Sequence, residues 1–175
     1  TGTINLGSHG HLGAQIGSTN SAIDGDNRSF IFLIDYANNG ASQYLLSNRA
    51  EDNGLDIRLN VNDKFLVANE VAGAFLSTDV AASVSEEKTR VLVTLALNGD
   101  CVVYVETLGT AFNSAYTSKN LGAPGGGSAQ PKLGIKSDDT GPFTGPINYI
   151  QVNSVIDLAT ANQIADYMEI QFSKI

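Results

Sequence analysis

The sequence predicts an all-β fold, two antiparallel sheets packed as a sandwich with one short C-terminal helix. Runs of β-branched and aromatic residues recur at strand length. Gly-, Asn- and Ser-rich turns separate them, and only one stretch has helical periodicity.

Strands are expected at SFIFLIDY (29–36), SQYLLSNR (42–49), LDIRLNV (55–61), KFLVANE (64–70), TRVLVTLAL (89–97), CVVYVET (101–107), PKLGIKS (131–137) and GPINYIQVN (145–153). Turn signals lie between them at ANNG (37–40), EDNG (51–54), NVND (60–63) and Asn98-Gly99, where Asn and Gly supply the positive φ of tight hairpins. In 55–61, Leu55, Ile57, Leu59 and Val61 face one way and Asp56, Arg58 and Asn60 the other. That alternation marks a strand with one solvated side.

Three segments depart from this meander. Residues 1–28 are Gly-rich and weakly patterned, an edge strand with a long loop or an arm that contacts a partner; residues 29–175 form the sandwich domain. NLGAPGGGSAQP (120–131) is a loop. DLATANQIADYM (157–168) carries Leu158, Ala161, Ile164, Ala165 and Met168 at helical spacing behind Asp157 as N-cap, and the tail EIQFSKI is expected to return to the sheet.

Composition narrows the function classes. Hydrophobic residues make up 42 % and charged residues 16 % of 175, the balance of a packed domain and not of a disordered chain. No apolar run approaches the roughly 18 residues of a membrane-spanning helix, so membrane insertion is not expected. A net charge of −8 is the wrong sign for a nucleic-acid partner and suits neutral glycans, cations or a protein. One cysteine rules out an internal disulfide, and TGTINLGSHG lacks the pattern of a signal peptide.

That cysteine sits in LALNGDCVVYVE (95–106). If Asn98-Gly99 is a two-residue turn, Cys101 pairs with Ala96, Val103 with Thr94 and Val105 with Leu92, while Leu95 meets Val102 and Val93 meets Tyr104. Both faces are then apolar, and Cys101 enters a dry layer with no neighbouring cation to lower its pKa. It reads as an inert buried thiol.

Three stretches carry a family resemblance: residues 30–67, with the pattern L-x-S…G-L-x-I-x-L; RVLVTLALNGDCVVYVE (90–106); and KLGIKSDDTGPFTGPINYIQVNSVIDLATANQIADYM (132–168). In order and turn pattern the chain resembles a laminin-G-like domain of the concanavalin A-like lectin/glucanase superfamily. The resemblance spans about 29–168 and implies a jelly-roll sandwich. It departs where the family has a Trp-His pair and an acidic pair, positions held here by Thr89-Arg90 and Asn148-Tyr149.

The glucanase pattern Glu-x-Asp-x-(x-)Glu is absent: SEEK (85–88) lies in an expected loop and Glu106 stands alone, so the chain is read as no enzyme. His9 and His11 have the spacing of two imidazole ligands on one strand face, without further ligands nearby. Asp24 and Asp26, with Asp138 and Asp139, offer hard oxygen ligands in Gly-containing loops that would suit Ca²⁺; the competing reading makes them Asx-turn residues. The resemblance also implies calcium, which many laminin-G-like domains bind. For a sugar, Tyr36 with Asn38 and Asn39, and Tyr44 with Arg49, would supply a platform and polar groups at the hairpin ends, since tryptophan is missing.

Function is therefore expected to be non-catalytic, with a jelly-roll scaffold and binding in its loops. The first reading is a virion-surface protein, a phage decoration or fibre component that attaches to a particle or glycan receptor, with an oligomeric capsid or fibre partner. The alternative is a lectin-like carbohydrate-binding module of a bacterial cell-surface protein or glycan-degrading enzyme, with a cell-surface glycan as partner. The expected location is a virion surface or the extracellular space.

Overall fold

A computed structural model describes residues 4–5, 14–15, 27–35, 37, 39–49, 53–62, 64–83, 88–122 and 131–172. The strands are β1 (Ile4–Asn5), β2 (Ala14–Gln15), β3 (Arg28–Ile34), β4 (Gln43–Ser47), β5 (Gly54–Leu59) and β6 (Lys64–Val71). After them come β7 (Ala74–Ser83), β8 (Thr89–Leu95), β9 (Asp100–Thr107), β10 (Thr117–Asn120), β11 (Lys132–Leu133) and β12 (Ile147–Val152), followed by helix α1 (Leu158–Phe172). They form two antiparallel sheets, β1-β12-β3-β8-β9-β10 and β2-β11-β4-β5-β6-β7, the expected jelly-roll sandwich.

The continuous apolar run Phe30–Ile34 forms the centre of the first sheet, and all five residues are fully buried because both faces are covered. Phe30, Phe32 and Ile34 enter the core between the sheets with Ile57, Phe65 and Val93. Ile31, Leu33 and Leu92 face the other way, against Ala161, Ala165 and Met168 of α1. Burying Met168 alone contributes on the order of 2 kcal/mol. Asp157 caps the helix, its Oδ1 accepting from Thr160 N at 2.7 Å, and the backbone and side-chain bonds from Thr160 hold its carboxyl below the usual range.

Three expectations are corrected. The tail after Met168 does not return to the sheet within the described residues: nothing in EIQF breaks a helix, and α1 runs on to Phe172. The sheets also contain β7 and β10, which the sequence pattern did not announce. The third correction is register. Gly99 N donates to Ala96 O and Ala96 N to Asp100 O, each at 2.9 Å, so Leu97, Asn98 and Gly99 form a three-residue loop ending on Gly99 at φ +91°. The extra loop residue shifts every pair by one: Leu95 faces Cys101, Val93 faces Val103 and Val91 faces Val105. Cys101 still lies fully buried between the sheets, where desolvation pushes its thiol up to about 12.

Candidate functional site

The polar chemistry of the fold concentrates on the outer face of the second sheet. Ile57 and Leu59 of β5 point into the core, which turns Asp56 and Arg58 outward. A bulge between Tyr44 and Leu46 in β4 keeps both Tyr44 and Ser47 on that outer face, opposite Arg58 and Asp56. β6 adds Leu66 beside Arg58, Ala68 beside Asp56, and Glu70 beside Gly54. One face thus offers an aromatic ring, a small apolar floor, one arginine and two carboxylates.

Asp56 is fully buried there. Ser47 Oγ donates to its Oδ1 at 2.6 Å, and Arg49 Nη1 lies 3.5 Å from Oδ2. Arg49 Nε meets Glu70 Oε2 at 2.5 Å, as an ion pair without hydrogen-bond alignment. One arginine therefore bridges two carboxylates. Burial pushes Asp56 up in pKa, and the Ser47 bond and the charges of Arg58 and Arg49 only partly offset it. Arg58 places its guanidinium carbon 5.2 Å from the centre of the Tyr44 ring, and its Nη1 donates to Tyr44 Oη. Its buried Nε has no hydrogen-bond partner among the described residues.

Residues 136–141 fold against this face. Ser137 N donates to Ser47 Oγ at 3.3 Å, and Ser137 Oγ donates to the Arg49 carbonyl. Gly141 packs on Tyr44 so closely that a Cβ there would stand 2.7 Å from the ring. Lys132 of β11 pairs with Asp139 at 2.6 Å and Lys136 with Asp138 at 2.5 Å. Arg49, Arg58, Lys132 and Lys136, four of the chain's ten basic side chains, thus gather at one end of a protein with net charge −8.

Of the residues singled out for a sugar, the structure places Tyr44 and Arg49 on this face. Asn39 lies in the exposed loop entering β4, its Oδ1 accepting from Ala41 N at 3.0 Å. Tyr36 and Asn38 lie outside the described residues, as do His9, His11, Asp24 and Asp26. Tyr44 is 6 % exposed beneath Arg58, so the guanidinium and not the bare ring is what this end presents. Asp138 and Asp139 are engaged by lysines. Burial raises Asp138, but the bonds from Lys136 and Thr140 outweigh it and bring the carboxyl down to about 2. Among the described residues no three His, Cys, Asp or Glu side chains come together as a metal site.

On the opposite side, a cleft of about 430 Å³ opens between α1 and the end of β9, lined by Arg90, Leu108, Gly109, Asp166, Glu169 and Ile170. Its arginine is 1 % exposed and committed to Asp166 and Glu169, which makes it a clamp on the helix.

Comparison with known proteins bears on the fold. No protein-family model matches the chain, and no curated protein does. Solved structures do. The CBM40 of the Ruminococcus gnavus IT-sialidase, bound to α2,3-sialyllactose, superposes with a TM-score of 0.61 at 13 % identity, covering 93 % of this chain and 98 % of that one. The botulinum neurotoxin serotype G binding domain gives 0.65 at 14 % identity over 95 % of this chain, which spans 42 % of it. A leech intramolecular trans-sialidase, complexed with 2,7-anhydro-Neu5Ac, gives 0.61 at 16 % identity over 93 % of this chain and 27 % of its own. At such identities the likeness is one of fold.

Proposed function

We propose that this chain is a non-catalytic carbohydrate-binding module, working outside the cell, that engages a cell-surface glycan at the Arg58–Tyr44 end of its second sheet. The observation that supports this most is a sandwich shared along 93 % of its length with a domain whose structure holds a sialylated sugar. A sialylated glycan carries a carboxylate, which Arg meets with parallel N–H donors better than any other side chain. Arg58 is half-buried and backed by Tyr44, and Arg49 stands on the same face.

The finer assignment to the laminin-G-like domains rests on the sequence resemblance. Between the two readings open from the sequence, the neighbours favour the lectin-like module: toxin binding domains and a CBM40 stand among them, whereas none of those described is a capsid or fibre component.

Asp56 and Glu70 are two carboxylates on one face, the raw material of a glycosidase. Arg49 bridges them, however, and Asp56 is fully buried, so neither is free to reach a glycosidic bond. Their engagement supports the reading of binding without turnover.

A glycan array followed by calorimetry with sialyllactose and lactose tests the reading. Saturable binding of sialyllactose with no hydrolysis supports it. Failure to bind any arrayed glycan, with co-purification on a viral particle, would return the chain to the virion-surface reading.

A further inference from the structure

At the Arg58–Tyr44 end of the second sheet each base stands beside an acid. Arg49 lies between Asp56 and Glu70, Arg58 acts on Asp56, Lys132 meets Asp139 and Lys136 meets Asp138. A sugar carboxylate arriving there meets cations whose charge is already shared. The acid that lets go most easily therefore governs how strongly the site holds an anion.

The acids are held in different ways. Asp138 accepts from Lys136, from Thr140 N at 3.1 Å and from Thr140 Oγ1 at 2.5 Å, so each of its bonds stabilises the charged form. Asp56 is fully buried, and only its inner oxygen is so treated: Ser47 Oγ donates to Oδ1 at 2.6 Å. Its Oδ2 is buried without a donor in hydrogen-bond geometry among the described residues, with Arg49 Nη1 3.5 Å away. Across Arg49, Glu70 Oε2 is also buried without an aligned donor, 2.5 Å from Nε. Ser137 fixes the Arg49 backbone by donating to its carbonyl, while the side chain is 25 % exposed.

We propose that Asp56 is a positioning residue of this site: when it takes up a proton it releases Arg49 to the incoming carboxylate, so acid strengthens capture of a sialylated glycan. This rests on the glycan reading and adds its regulation. Ionised Asp56 occupies Arg49 and repels the ligand; neutral Asp56 does neither. Oδ2 is the oxygen free to take the proton. Burial favours the neutral form, and the Ser47 bond with the charges of Arg58 and Arg49 opposes it only in part. By linkage, bound sugar raises the proton affinity of Asp56 by the factor that the proton raises the sugar's.

Calorimetry of the full chain with sialyllactose, from about pH 8 to about pH 5, tests this. The dissociation constant should fall roughly fivefold or more towards acid. Proton uptake should appear as a binding heat that changes with the buffer's ionisation enthalpy. Asp56→Asn should bind at neutral pH as tightly as wild type does in acid and lose the pH dependence, whereas Glu70→Gln should keep it. The net charge of −8 also shrinks in acid and would help any anion, but that effect persists in Asp56→Asn. A wild-type affinity that is constant or weakens towards acid would overturn the proposal and leave the glycan reading standing, whether or not the Asn variant folds. A trend retained in Asp56→Asn, or lost in Glu70→Gln, would do the same. Sialyllactose bound by none of the three at any pH would remove the glycan reading itself, and the proposal with it.

Discussion

Arg90 on β8 and Glu169 on α1 tie the helix to the first sheet: Arg90 Nε donates to Glu169 Oε1 at 2.8 Å, and Gly109 N donates to the same oxygen at 3.0 Å. Asp166 takes Arg90 Nη2 at 3.1 Å. Glu169→Ala should destabilise the protein by about 2–3 kcal/mol, at or below the range for breaking a buried pair, because Asp166 still compensates the guanidinium. Arg90→Met removes the buried charge itself and leaves two acids that can turn to water, so it should cost less. Urea unfolding of both variants checks this; a Glu169→Ala protein as stable as wild type would contradict it.

The glycan reading makes Arg58 the side chain to change. Arg58→Ala should weaken sialyllactose binding at least roughly tenfold, the loss of one charge-assisted contact. Arg58→Lys should recover little of it, since an ammonium lacks the planar fork. Calorimetry gives the affinities and a melting curve shows whether the fold survives. Wild-type affinity in a folded Arg58→Ala protein would place the sugar elsewhere.

Asp56 gives a pH dependence whose sign follows from burial. Its pKa is raised in the folded state, so between the unfolded and folded values the native protein binds more protons than the unfolded chain. Its contribution is therefore fully present below the ordinary Asp value and is lost as pH rises through the folded pKa. Asp56→Asn keeps an acceptor for Ser47 and removes the titration. Relative to that variant, the wild type should gain stability as pH falls through Asp56's raised pKa and lose it towards neutrality. Urea midpoints across that range measure it; a constant difference would show that Asp56 keeps an ordinary pKa.

Asp138 and Asp139 already spend their charge on Lys136 and Lys132, so this pair is expected to add nothing to the melting temperature with calcium. A melting curve with millimolar calcium and one with chelator check it. A rise with calcium would point to Asp24 and Asp26, by the linkage between binding and stability.

Legibility differed by element for physical reasons. Phe30–Ile34 and Val91–Leu95 were readable because strands buried on both faces are continuous apolar runs. β7 was not, since Ala74–Ser83 is interrupted by Ser77, Thr78 and Asp79, and its hairpin turns on Ala72 at φ +49°, where no Asn or Asp signals it. Alternation in 55–61 put Asp56 and Arg58 on the outer face. Glu70 reaches that face only through the pairing of β5 with β6, and Arg90 finds Glu169 79 positions away. Such meetings leave no local trace.

Gly99 is where sequence and register meet, and it yields the sharpest test of the hairpin. A Cβ on this residue would stand 2.2 Å from Gly122 O and 2.7 Å from Gly122 N, backbone atoms that cannot swing aside, at a φ of +91° that L side chains avoid. Leu121 N also donates to Gly99 O at 2.8 Å, so the loop is fixed from β10's side. Gly99→Ala should cost about 2–4 kcal/mol from strain and steric conflict together. The damage should spread to Cys101, whose burial depends on the register this loop sets. A thiol reagent therefore reports it: Cys101 should be unreactive in the native wild type and become labelled faster in the variant, in step with its lower unfolding free energy. A Gly99→Ala protein with wild-type stability and an equally protected thiol would mean that the loop does not set the register.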